Sequence, residues 1–163
     1  MAFEEQSEWL DRVREAQQSG SHGSHFSTAL DEIRSGKKSS DWVWYVFPQI
    51  EGLGRSAMNQ RFAVSNVDDG RRFLDDPTTG SNFQTVLEVA LEHLESGASL
   101  VQLMNGDERK FVSSITLMRW LSISPEVVEL TQRALAASSA QGYMPCQATL
   151  RWLDERGVPH DDE

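Results

Sequence analysis

Between Phe83 and Leu94 the apolar residues fall at Phe83, Val86, Leu87, Ala90, Leu91 and Leu94, the spacing that places them on one side of an α-helix. A helix with so continuous a stripe gains most of its stability by burying it, so the rest of the chain must supply matching faces. Asn82 can cap this helix, and Asp75 to Gly80 (DDPTTG) reads as a turn-rich connector in front of it.

The matching faces are easy to find. Ser7 can cap a segment in which Trp9, Leu10, Val13 and Ala16 recur at helical spacing to about Gln17. A loop, SGSHGSH, separates it from a second stripe at Phe26, Ala29, Leu30 and Ile33 that stops near Gly36. Ser56 to Phe62 makes a short helix, and Asn66 can cap another with Val67, Phe73 and Leu74 turned inward. Gly70 weakens that segment by roughly 1 kcal/mol relative to alanine. MNGDERK breaks the pattern and loads Asp107 and Glu108 before a helix over Phe111 to Leu121. Ser124-Pro125 is a strong start signal for a helix to about Ala140. A last pattern, Ala148, Leu150, Trp152 and Leu153, follows Pro145 and stops at Gly157 and Pro159, leaving a frayed tail from about 158. The N-terminus is expected to fray as well. The class is mainly α, in one compact multihelical domain spanning 1–163, a size able to bury a sizeable core.

One stretch resists this scheme. Ser39 to Ser56 (SSDWVWYVFPQIEGLGRS) holds Trp42, Trp44, Tyr45 and Phe47 within six residues, then Pro48, Gln49 and two glycines. WVWYVF is rich in strand formers but too continuously apolar for a half-exposed strand, so a short buried helix ending before Pro48 is expected. Aromatic side chains of this density pack as a core hub, and some can also stack on a flat ligand.

Charge narrows the function. Lys and Arg number 15 against 25 Asp and Glu, a net charge of -10, which opposes non-specific attraction to a nucleic-acid polymer. A few local arginines can still hold a small anion. The single cysteine, Cys146, excludes an internal disulfide, and the acidic, amphipathic start lacks the character of an export signal; no run is long enough to span a membrane. A cytoplasmic address is expected.

The candidate chemistry is an anion pocket. Arg55 and Arg61 can make forked contacts with phosphate or carboxylate, Lys110 adds a point charge, and Gln49, Ser56, Ser113, Ser114 and Thr116 can orient the remaining oxygens, with Trp42 and Trp44 as flat surfaces. The plainer alternative pairs the arginines with the many carboxylates and turns the hydroxyls onto helix carbonyls. Asp41 and Glu51 are the candidate proton-handling groups. His22 and His25 have a metal-like spacing, but Gly23 lies between them and no cysteine or acidic ligand set accompanies them, so no metal is assigned, and no cofactor. Ser113 and Ser114 lack a nucleophile elbow, Cys146 lacks an adjacent base, and GLGRS lacks the lysine of a phosphate loop. His93 and His160 read as surface residues.

Ala16-Gln17, the AL.E of Ala29, Leu30 and Glu32, K.S.W.W..FPQ..GLGRS.M from Lys38 to Met58, and K..SS.TL from Lys110 to Leu117 together resemble the bacterial family called domain of unknown function 1810. The resemblance implies a compact, mainly α-helical cytoplasmic protein and no established reaction. The family pattern often has histidine before the first tryptophan, where this chain has Asp41, so chemistry through an imidazole there is not carried over. In helical class, size and anion-plus-aromatic character the chain is also loosely similar to the N-glycosidases of the NADAR group, without a motif matched residue by residue. Two readings follow: a hydrolase acting on a phosphorylated ribosyl or nucleotide-like metabolite, or a non-catalytic module binding a metabolite or a protein partner.

Overall fold

The computed structural model describes residues 7–20 and 23–160. Ten helices occur among them: α1 (Glu8–Ser19), α2 (Phe26–Ser35), α3 (Val43–Val46), α4 (Ala57–Phe62), α5 (Val67–Asp75), α6 (Pro77–Glu95), α7 (Leu100–Met104), α8 (Glu108–Leu121), α9 (Pro125–Ala140) and α10 (Gln147–Glu155). Among the described residues no strand forms, and the β-type pairing is an isolated parallel bridge between Ile50 and Val64.

The capping residues read from sequence close the helix starts. Ser7 Oγ accepts the Leu10 N–H at 3.0 Å, Asn66 Oδ1 accepts that of Asp69 at 2.8 Å, and Ser124 caps α9 with Pro125 in its first turn. Each bond satisfies a donor that a helix start leaves without an intrahelical partner.

The start of α6 differs from expectation. Asp76, not Asn82, is its cap: one carboxylate oxygen accepts the N–H groups of both Thr78 and Thr79 at 3.0 Å, and Pro77 takes the first helical position. Gly80 therefore lies inside the helix. A Cβ there would stand 2.2 Å from the Leu74 carbonyl oxygen, so only glycine lets α5 and α6 approach so closely. At Gly70 a Cβ would lie 2.4 Å from Leu121 Cδ1 on α8, the tip of a side chain, so a larger residue there would displace that side chain rather than backbone. Asn82 instead donates to Gln17 Oε1 at 2.8 Å, and Gln17 donates to the Tyr45 carbonyl at 2.7 Å, tying α6 to α1 and α3. A further helix, α7, went unread, and α8 begins at Glu108 rather than Phe111.

Helix α6 packs on α2, α5 and α9, while α8 packs on α5, α7, α9 and α10. The aromatic stretch fills the space between them. The ring of Phe47 lies 6.2 Å from Trp42, 5.9 Å from Phe83 and 5.0 Å from Phe111, and Phe83 passes the contact to Phe73 and Phe73 to Trp9. Trp42, Tyr45 and Phe47 are buried, whereas Trp44 is half-buried.

The C-terminal segment is held further than expected. Val158 is buried, and His160 is not a surface residue: its side chain is 8% exposed, packs 5.8 Å from the Trp120 ring and lies 2.9 Å from Asp154 Oδ1. His93 is half-buried, with Nε2 3.2 Å from the Arg34 carbonyl. Residues 161–163 lie outside the described ones.

Candidate functional site

Pro48 turns the chain out of α3, and the segment that follows returns to itself. Val64 N–H bonds the Gln49 carbonyl at 2.8 Å and Glu51 N–H bonds the Val64 carbonyl at 3.0 Å, so the loop from Gln49 to Val64 is closed at its base. Ser56 caps α4 within that loop by accepting the Asn59 N–H at 3.1 Å.

The loop forms one wall of a cleft of about 840 Å³. The first turns of α8 supply the second wall through Arg109, Lys110 and Ser113, and the turn from Tyr143 to Gln147 supplies the third. The two motif regions thus meet: Gln49, Arg55 and Ser56 face the same space as Lys110 and Ser113, with Trp44 between them. The third wall is oriented by Thr116, whose hydroxyl donates to the Val112 carbonyl at 2.7 Å and accepts the Cys146 N–H at 3.1 Å.

The charge in the cleft is one-sided. Arg55, Arg109 and Lys110 line it, and among the described residues no Asp or Glu does. Arg109 lies over the Tyr143 ring at 5.6 Å. Lys110 is 3.2 Å from Asp107, but that carboxylate also meets Lys38 at 2.8 Å, so the group of three retains one positive charge. In a chain of net charge -10 this is a local inversion of sign.

Hydrogen bonding in the cleft is incomplete. Gln49 is 7% exposed, yet its side-chain amide makes no hydrogen bond among the described residues. Trp44 Nε1 and Asn59 Oδ1 are likewise buried without partners. Buried polar groups are nearly always satisfied, so two such atoms beside the unbonded Gln49 amide mark a surface shaped for something other than packing.

Other candidates lie elsewhere. Trp42 is in the core, with Nε1 donating to Glu32 Oε1 at 2.8 Å. Asp41 is exposed away from the cleft and offers its carbonyl to the Tyr45 hydroxyl at 3.1 Å. Glu51 lines a separate depression, 3.9 Å from Arg156. Arg61 projects from α4 outside the cleft, and Ser114 and Thr116 are fully buried in α8. The expectation that all of these share one pocket fails because Trp42 and Trp44, two residues or about half a helical turn apart, face opposite ways, and α8 turns only one side toward the cleft. His22 lies outside the described residues. No group of three His, Cys, Asp or Glu placed to hold a metal occurs among the described residues.

Sequence reasoning missed Arg109, Asn59, Tyr143 and the placement of Cys146. Cys146 is half-buried at the start of α10. Burial pushes its thiol pKa up, but Ser113 and the side chain and amide of Thr149, with the Ala148 amide, favour the thiolate, and the net shift is downward. The Thr149 hydroxyl makes no full hydrogen bond, so its influence is that of a nearby dipole.

Fold and cleft together define a small helical protein with a cation-lined recess. The chain belongs to the family described as "Protein of unknown function (DUF1810)", whose model matches residues 7–151. It shares its fold with the crystal structure of the conserved hypothetical protein Rv1873 from Mycobacterium tuberculosis, at a TM-score of 0.74 and 24% identity over 89% of this chain and 96% of that one. No curated protein matches it. No helix among the described residues is long and apolar enough to cross a membrane.

Proposed function

We propose that this protein binds a small anionic metabolite in the cleft between the Gln49–Val64 loop, α8 and the Tyr143–Gln147 turn. The observation that carries this reading is the combination of Arg55, Arg109 and Lys110 without a lining carboxylate, beside the unpartnered Gln49 amide. Two guanidinium groups match phosphate or carboxylate oxygens in a fork, and the amide can donate to or accept from a neighbouring polar group of the same ligand. Trp44 and Tyr143 supply flat apolar surface beside them. A phosphorylated ribosyl or nucleotide-like compound has this division of charge, polarity and flatness.

Hydrolysis of such a compound is the second reading. Asp41 and Glu51, the groups expected to handle protons, lie outside the cleft, so binding stands ahead of acid–base chemistry between two carboxylates. The test is a panel of nucleotides and ribosyl phosphates, read by calorimetry for binding and by mass spectrometry for turnover. Saturable binding of phosphorylated members and not of their dephosphorylated forms supports the reading. Equal response to both, or to neither, overturns it.

A further inference from the structure

We propose that Cys146 is a site of mixed-disulfide formation with low-molecular-weight disulfides that carry carboxylates, and that the adduct closes the cleft to anions. The proposal uses the cationic lining argued above but does not require that a metabolite bind there. Three independent features lead to it.

First, the thiol is half-buried in a cleft wall rather than sealed in the core, so a small molecule can reach it and a protein surface cannot readily do so. Second, Cys146 precedes the first residue of the nine-residue α10, next to Ser113, an arrangement that favours the anionic sulfur that performs exchange. Third, the same cleft has what an acidic disulfide needs besides sulfur: cations at Arg55, Arg109 and Lys110 for its carboxylates, and the 7% exposed Gln49 with an unpartnered amide for a peptide-like group.

The chemistry balances without another reagent. The Cys146 thiolate attacks one sulfur of R–S–S–R, the new Cys146–S–S–R bond forms as the old bond breaks, and R–S⁻ leaves and takes a proton from water. The incoming disulfide is reduced as Cys146 is oxidised. Cys146 is the only cysteine, so no second thiol of the chain can displace the adduct, and release requires an external thiol. While attached, an acidic R group occupies and neutralises the surface that would hold an anionic metabolite.

The experiment measures adduct formation by intact mass on the folded protein, with glutathione disulfide as the acidic probe and cystamine as the cationic one. Rates are referred to those of a short unstructured cysteine peptide with each probe. We expect the protein to favour glutathione disulfide by about tenfold relative to the peptide, the lower end of electrostatic steering. That preference should collapse in an Arg55→Ala/Arg109→Ala protein and in high salt. Ser113→Ala should move the pH midpoint of the reaction upward, a readout that loss of packing alone would not give. Equal or reversed preference for cystamine overturns the proposal, as does labelling only after urea unfolding, or formation of a disulfide-linked dimer in place of the adduct. Because no metabolite is present, these rates can fail while the anion panel succeeds, or succeed while it fails.

Discussion

The motif from Lys38 to Met58 has two sides of opposite polar character, one turned to the core and Glu32 and the other to the cleft. On the core side, from Lys38 to Trp42, the buried polar groups are paired. Glu32 accepts the N–H groups of Ser39 and Ser40, the Ser40 hydroxyl and the Trp42 indole, while Lys38 reaches the Ser40 carbonyl at 2.6 Å and Asp107 at 2.8 Å, and the Asn105 amide donates to the Lys38 carbonyl. On the cleft side, Trp44 Nε1 and, just past the motif, Asn59 Oδ1 are buried without partners, and among the described residues Gln49 makes no side-chain hydrogen bond and no carboxylate lines the cleft beside Arg55. A saturated network fixes the shape of the chain; an unsaturated one beside free charge leaves capacity for a ligand. The difference separates residues kept for architecture from those available for recognition, although both sit in one continuous motif.

The largest test of this contrast is Phe47→Ala. Phe47 touches three aromatic rings and is 1% exposed, so truncation is expected to cost about 3–5 kcal/mol, read as a lower urea midpoint. Trp44→Ala should cost less, because its half-buried indole has one side in the cleft, and should weaken ligand binding instead. Equal losses for the two would erase the distinction between the core side and the cleft side of the motif.

Glu32→Gln addresses the saturated network with little change of shape. Burial pushes the Glu32 pKa up, but the Ser40 hydroxyl, the Ser39 and Ser40 amides and the Trp42 indole outweigh it and hold it at about 2 against an ordinary 4.5. A depressed folded-state pKa contributes stability that is present above about 4.5 and lost as pH falls toward about 2. The variant should lose about 1.5–3 kcal/mol at neutral pH and show a flatter stability profile through that acid window. An unchanged profile would show that the carboxylate does not hold the turn.

Arg55→Ala should lower affinity for the bound anion by about 1.5–3 kcal/mol by calorimetry while leaving the unfolding midpoint near wild type. Arg55→Lys should restore little if the contact is forked. The smallest effect belongs to Arg61→Ala. That side chain lies outside the cleft, so affinity and stability should each move by no more than about 0.5 kcal/mol. An Arg61 effect as large as that of Arg55 would relocate the site.

Much of this was legible because it is local. Ser7, Asn66 and Ser124 announce helix starts by their own chemistry, and Pro48 ends α3 by its ring. The shared cleft was legible in outline, from Gln49, Arg55, Lys110 and Ser113. What escaped depends on through-space neighbours. Gly80 reads as a turn until the Leu74 carbonyl is seen against it, and Asn82 reads as a cap until Gln17 claims its amide. Arg109 had a signal, its adjacency to Lys110 in DERK. Asn59 lay one residue past the motif, inside the helix read over Ser56 to Phe62; Tyr143 and Cys146 had no signal, because the turn before α10 reaches α8 only through the fold, fixed by the Thr116 hydroxyl.

The two backbone bonds that join Gln49 and Glu51 to Val64 have a thermodynamic consequence. A loop pinned at its base has already lost much of its chain entropy in the free protein, so an arriving molecule has little left to order. Association in such a recess is governed by diffusion and desolvation rather than by waiting for a rare conformer, and its heat-capacity change reports the apolar area covered on Trp44 and Tyr143 instead of coupled folding.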